Sequence, residues 1–158
     1  MSSNPATNPA HSITPYLILD QAAQAIEFYT KVFGARELVR LADPDGKIMH
    51  AEIQIGAATL MLADEFPDMG YLSPKSLGGS PVSILLYVAG VDTVFASAIA
   101  AGASEKMPLS DQFDGERRGT LNDPYGHVWI LAERQEQISY AELKRRFEQM
   151  MATDKTEQ

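Results

Sequence analysis

His50 and Glu52 stand two residues apart in a stretch, Lys47 to Ile55, that alternates apolar and polar residues. Such alternation marks a strand with one buried face, and it sets His50, Glu52 and Gln54 opposite Met49, Ala51, Ile53 and Ile55. An imidazole beside a carboxylate can move a proton as a general acid-base pair, and the same two groups can ligate Zn²⁺ or Mn²⁺. The alternative is an ordinary polar sheet face bonded to its neighbours. Arg117 and Arg118 are adjacent, so they alternate faces and one of them can grip a carboxylate, phosphate or phosphonate. The competing use is surface pairing with the many carboxylates of an acidic chain. His127 follows Gly126 in an Asp-Pro-Tyr-Gly turn, where it reads as a turn-fixing residue with Asp123 as the cap. Nothing resembles a phosphate loop, a nucleophile elbow or a nucleotide fingerprint.

The elements that must position these residues come in two copies. Residues 13–35 read as a strand, Asp20 as helix N-cap, an amphipathic helix, and Gly34-Ala35 as its end. Residues 82–103 repeat the order with Val91-Asp92 and Gly102-Ala103. Each copy continues into an Asp-Gly (Asp45-Gly46, Asp114-Gly115) and a strand pair holding a glycine (Gly56, Gly126). In the first helix Ala22, Ala25, Ile26, Tyr29, Val32 and Phe33 share a face. The segments Glu37 to Leu41 and Thr120 to Asp123 read as short, weak strands, and Asp111 to Arg118 as polar connection. Trp129 packs beneath the helices, while Val128, Ile130 and Ala132 take the other face. The boundaries are a disordered tail at 1–11, a first module at 12–65, a linker at 66–81, a second module at 82–135, and a C-terminal helix and tail at 136–158. Ser139 and Glu142 form a capping box for that last helix, which packs on the outside or on a partner subunit, with 153–158 frayed.

Composition narrows the class. The chain has 158 residues, no cysteine and a net charge of −8, so disulfides and thiolate metal sites are excluded and nucleic acid is disfavoured as a partner. No apolar run reaches the ~18 residues of a membrane helix, and the first residues lack the pattern of a secretory signal. A cytoplasmic protein is the expectation.

Ile13-Thr-Pro-Tyr-Leu, Ala25-Ile-Glu-Phe-Tyr, Val32-Phe-Gly-Ala, His50-Ala-Glu and the run from Gly115 to Trp129 resemble the vicinal oxygen chelate superfamily. Within it the likeness is to the glyoxalase/bleomycin-resistance branch and its PhnB-like members, over about residues 12 to 135. The resemblance implies an α+β fold of two fused βαβββ modules whose curved mixed sheets enclose a cavity, usually in a homodimer. It also implies a small-molecule ligand or substrate and lyase or isomerase chemistry, or alternatively sequestration of a drug or metabolite. In metal-dependent members a His or Gln on each first strand and a Glu on each last strand hold a divalent ion. Those positions fall here on Thr14, Ser83, Met61 and Ile130, none of them a strong ligand for such an ion. A slip of one residue (Pro15, Val82 or Ile84, Leu62, Leu131) is no better. No cofactor is therefore expected, with a metal displaced onto His50 and Glu52 as the alternative. By the same parity Thr14, Tyr16, Ser83 and Tyr87 face the cavity, and with Arg118, Ile130 and Met61 (Met69 being a further soft contact) they are the ligand-binding candidates. The competing reading has Tyr16 and Tyr87 facing solvent.

Overall fold

The computed structural model describes residues 13–154. The tail at 1–11, His11 and the last four residues lie outside them. The chain forms two compact units, Met1–Ser73 and Pro74–Gln158, so the division falls inside the 66–81 segment.

The first unit runs β1 (Tyr16–Leu19), α1 (Ala22–Phe33), β2 (Arg36–Ala42), β3 (Ile48–Ile55) and β4 (Ala58–Asp64). Its sheet has the order β1-β4-β3-β2, with β1 parallel to β4 and the other pairs antiparallel. Helix α1 buries Ala22, Ala25, Ile26, Phe28, Tyr29 and Val32. Leu17, Leu19, Ala51, Ile53, Leu60 and Leu62 complete the core. A fully buried Leu or Ile contributes roughly 1.5–3 kcal/mol, which is what holds a short strand such as β1 in place. Gly34 ends α1 in the left-handed region (φ 67°), its N–H donating to the Tyr29 carbonyl.

Several expectations change. Gln21, not Asp20, occupies the helix N-cap and makes no side-chain cap bond. The capping carboxylate is Asp64, from the end of β4, whose Oδ1 accepts from the Ala22 N–H at 2.9 Å. Met49 leaves the apolar row: Ile48 is buried, Met49 is exposed, and the β2–β3 register shifts between Leu41 and Ala42. The extra residue is a β-bulge, which turns Met49 onto the same side as His50. Strand β2 is longer than the Glu37–Leu41 segment and lies at the sheet edge.

The second unit runs α2 (Pro74–Leu77), β5 (Ser83–Tyr87), α3 (Val91–Ala100), β6 (Ser104–Asp111), β7 (Glu116–Asn122), β8 (Val128–Arg134) and α4 (Tyr140–Asp154). Its sheet order, β5-β8-β7-β6, repeats that of the first. The polar 104–111 and 116–119 segments are therefore strands, held by ladder bonds where the side-chain pattern is silent. Segment 66–81 is not structureless either: it holds a 3-10 turn at Pro67–Met69 as well as α2. Helix α3 crosses β7 at Gly119, where a Cβ would lie 2.9 Å from the Phe95 ring and 3.0 Å from the Leu109 nitrogen. Gly119→Ala is expected to cost about 1–3 kcal/mol in urea unfolding, because backbone must move to admit the methyl group.

Helix α4 has no buried residue. Ser139 Oγ accepts from the Glu142 N–H at 3.2 Å, so that half of the capping box forms. The Glu142 carboxylate instead accepts from Arg145 and Arg146, and Phe147 lies 5.8 Å from the Phe113 ring. Residues 153 and 154 are helical, not frayed. Bonding from Arg145 and then Arg146 lowers the Glu142 carboxyl from 4.5 to about 2. A depressed carboxyl stabilises the folded form above its unfolded value, so this contribution is complete above pH 4.5 and is lost as pH falls through about 2. Amide exchange in α4 is expected to rise over that window in the native chain and to be insensitive to it in Glu142→Gln. No helix among the described residues is long and apolar enough to cross a membrane.

Candidate functional site

In the first unit the sheet face away from α1 carries Tyr16, Met61 and Glu52 in one cross-strand row, since Met61 pairs with both of the others. His50 stands one step along β3 from Glu52. Tyr16 Oη lies 2.9 Å from His50 Nδ1, and His50 Nε2 lies 3.3 Å from Glu52 Oε1. The neutral imidazole has one N–H. Donated from Nε2 to the carboxylate, it leaves Nδ1 to accept the Tyr16 hydroxyl. Three side chains from β1 and β3 thus form one hydrogen-bonded line. Tyr16 is 48% exposed, as the solvent-facing alternative expects, and partial desolvation, then the neighbouring Tyr71, raises its phenol above the ordinary value.

Beside this line is a cavity of about 330 Å³ whose walls include Tyr16, Ile18, Met49, Phe66, Met69 and Tyr71. The bulge supplies Met49. The other wall is a tight loop closed by reciprocal bonds between Phe66 and Tyr71, from the Phe66 N–H at 2.9 Å and the Tyr71 N–H at 3.1 Å. Gly70 takes the left-handed conformation that the loop needs (φ 79°). Lys47 Nζ sits 4.1 Å from the Phe66 ring centre, and Glu65 accepts from the Ser73 N–H. Asp64 lines the same cavity but is engaged twice, its Oδ2 accepting from the Ile48 N–H at 2.7 Å. Thr14 is half-buried just ahead of β1.

In the second unit Leu85, Ile130 and Thr120 share a row, as do Tyr87, Ala132 and Arg118. Ser83 and Tyr87 are exposed, and Ile130 is half-buried. Arg118 does reach the open face, but Asp114 and Glu116 hold it there. Arg117 goes to the other face, where Asp92 and Asp111 bind it and raise it above its ordinary value. Glu116 is buried and accepts from Tyr87 Oη at 2.7 Å as well. The sequence reading missed this carboxylate, although the spacing of Glu116 and Arg118 shows it once β7 is known to be a strand. Arg134 lies 5.4 Å from the Tyr87 ring centre. Asp123 does cap the turn, its Oδ1 accepting from the N–H groups of Tyr125 and His127 and its Oδ2 from Trp129 Nε1.

The missed capping carboxylates have one signal in common. Glu133 accepts from the Gly90 and Val91 N–H groups at the start of α3, as Asp64 does for α1. These two amides hold Glu133 below its ordinary value. Aligning the two copies puts a carboxylate at the end of each last strand.

The four positions that hold a metal in metal-dependent relatives offer two hydroxyls (Thr14, Ser83), one thioether (Met61) and an aliphatic chain (Ile130). Divalent ions of this kind are held by carboxylates or imidazoles, and two neutral hydroxyls, a soft thioether and an aliphatic chain supply neither charge nor a strong donor, so this set fits one poorly. At His50 and Glu52, both ring nitrogens are already engaged. Among the described residues no group of three or more His, Cys, Asp or Glu is placed to hold an ion.

Comparison with known proteins agrees with this architecture. An uncharacterized protein of Mycobacterium tuberculosis is 42% identical over 142 residues, covering 88% of this chain and 84% of its own. Among solved structures, a Pseudomonas aeruginosa protein superposes with TM-score 0.66 at 27% identity, over 80% of this chain and all of that one. The PhnB protein of Bacillus cereus gives 0.63 at 24% identity, over 78% of this chain and 99% of that one. The Listeria monocytogenes fosfomycin resistance protein FosX, solved with Mn(II) and sulfate, gives 0.61 at 15% identity, over 84% and 96%. The profile of one family matches residues 10–131, and on that match the chain belongs to the Glyoxalase/Bleomycin resistance protein/Dioxygenase superfamily.

Proposed function

We propose that this protein is an acid-base enzyme of lyase or isomerase type that acts on a small molecule in the Tyr16 cavity, without a metal at the four usual positions. The hydrogen-bonded line from Tyr16 through His50 to Glu52 carries this reading. An enolic or phenolic hydroxyl of the substrate next to Tyr16 passes its proton to the phenol oxygen as the phenol proton moves to His50 Nδ1. The resulting imidazolium stays paired with Glu52 through Nε2–H. The substrate is left as an oxyanion hydrogen-bonded to Tyr16, and its carbon next to the oxygenated one becomes basic. Tyr16 then delivers its hydroxyl proton to that carbon as the imidazolium returns the Nδ1 proton to the phenol oxygen, so one proton has moved from oxygen to carbon and the line is restored.

The reading is tested by proton NMR in D₂O with a panel of small phenols and ketones. Deuterium is expected at the carbon beside the oxygenated one, with incorporation about 10²-fold slower in His50→Ala, the lower end of general acid-base effects. Incorporation unchanged in His50→Ala would overturn it. The ¹⁵N shifts of His50 are expected to show an unprotonated Nδ1 and a protonated Nε2, with the preference lost in Glu52→Gln.

The poor metal donor set also favours a second reading, a binding protein that sequesters its ligand. Binding from the same panel with no exchange would select it. FosX was solved with Mn(II), whereas Thr14, Ser83, Met61 and Ile130 argue for metal-free work here. Loading with Zn²⁺, Mn²⁺ or Ni²⁺ and desalting is accordingly expected to leave no stoichiometric ion. A cytoplasmic homodimer completes the proposal, with the absence of cysteine supporting the compartment.

A further inference from the structure

We infer that the ligand of the Tyr16 cavity is an uncharged, flat ring system carrying a hydroxyl group, and that Met49 and Tyr71 select it. The inference rests on the functional reading above and names the ligand class for it.

Charge excludes the anions. No lining residue is cationic, and both oxygens of Asp64 are spent on the Ala22 and Ile48 amides. Lys47, held over the Phe66 ring, is not among the lining residues. A carboxylate or phosphate entering here would lose part of its hydration without gaining a counter-charge, in a chain whose net charge is −8. Shape selects a ring. Two thioethers and three aromatic rings line the cavity, and Met sulfur packs well on aromatic faces and edges. At about 330 Å³ the cavity lies near the lower end of ligand sites (~300–1,000 Å³), which suits roughly a dozen heavy atoms.

The hydrogen-bond direction then selects a donor. In the Nε2–H tautomer that the Glu52 contact favours, Tyr16 donates to His50 Nδ1 and its oxygen presents only lone pairs to the cavity. A ligand hydroxyl satisfies them, and an ether of the same shape cannot. Selectivity falls to Met49 and Tyr71, because the bulge presents Met49 and the closed loop presents Tyr71 to the cavity.

The test is titration with 2-naphthol, 2-methoxynaphthalene and 2-naphthoate, followed by calorimetry and by the methyl resonances of Met49 and Met69. 2-Naphthol is expected to bind one site per chain and to shift both methyls, with the ether and the carboxylate each about tenfold weaker or worse. Tyr16→Phe is expected to bring naphthol and ether to within about twofold, as the acceptor is gone. Met49 is exposed, so Met49→Glu leaves the core intact and is expected to weaken naphthol about tenfold. Naphthoate binding as tightly as naphthol, or naphthol binding indifferent to both variants, would overturn the ligand class. The two readings fail separately. Selective naphthol binding with no His50-dependent deuterium exchange at its C1 overturns only the acid-base function. Tight naphthoate binding alongside His50-dependent exchange on another compound of the panel overturns only the ligand class.

Discussion

Asp123→Ala is expected to lower stability by about 3–5 kcal/mol, a large part of the roughly 5–15 kcal/mol that holds a typical domain together. The carboxylate is 4% exposed and accepts three bonds: from Tyr125 N–H at 2.9 Å, His127 N–H at 3.0 Å and Trp129 Nε1–H at 2.9 Å. Trp129 is fully buried, so its indole N–H loses this acceptor in a place that water does not reach. Each such loss costs roughly 1–3 kcal/mol, and three bonds to one group do not add fully. Asp123→Asn keeps one acceptor oxygen and is expected to lose about half as much. Urea unfolding with an unchanged slope is the measurement. A loss under about 1 kcal/mol would mean that the turn is not the anchor of β8 that these bonds describe.

Asp64→Ala is expected to cost about 2–4 kcal/mol and, unlike the Asp123 change, to weaken ligand binding as well. Its two oxygens join the first turn of α1, through Ala22, to the start of β3, through Ile48. Both partners are buried, at 0% and 1% exposure. Ile48 immediately precedes the bulge that presents Met49, so release of its amide loosens one wall of the cavity. Amide exchange at Ala22 and Ile48 is expected to accelerate together, along with a drop in the urea midpoint. Acceleration at only one of them would show that the carboxylate does not bridge the two elements. Glu133→Ala, the counterpart in the second unit, is expected to cost less, because its carboxylate is only half-buried and caps α3 alone.

The repeat and its element order were legible because they are written in local periodicity. An amphipathic face at helical spacing, a closing glycine such as Gly34, and alternation along β3 each depend on residues within a dozen positions. The shared face of His50 and Glu52 was legible for the same reason, and so was the cap at Asp123, whose partners lie within six residues. Strand β6 and the first half of β7 were not, because ladder bonds belong to the backbone and leave no mark on side-chain pattern, and only the end of β7 from Thr120 could be read.

What only tertiary structure decided lies across long separations or in single-residue irregularities. Asp64 reaches an amide 42 positions away and displaces Asp20 from the capping role, since a β4 end packed under α1 outcompetes the local candidate. The bulge at Met49 reverses one side chain because strand parity has period two, and an extra residue flips whatever precedes it. Arg118 is held by Asp114 and Glu116, which a count of charges cannot foresee. Sequence therefore determined which groups could do chemistry: an imidazole, a carboxylate and a phenol on one sheet. Tertiary structure decided that they touch, in the order Tyr16, His50, Glu52, because hydrogen bonds between strands 34 residues apart depend on register, and register is a property of the folded sheet.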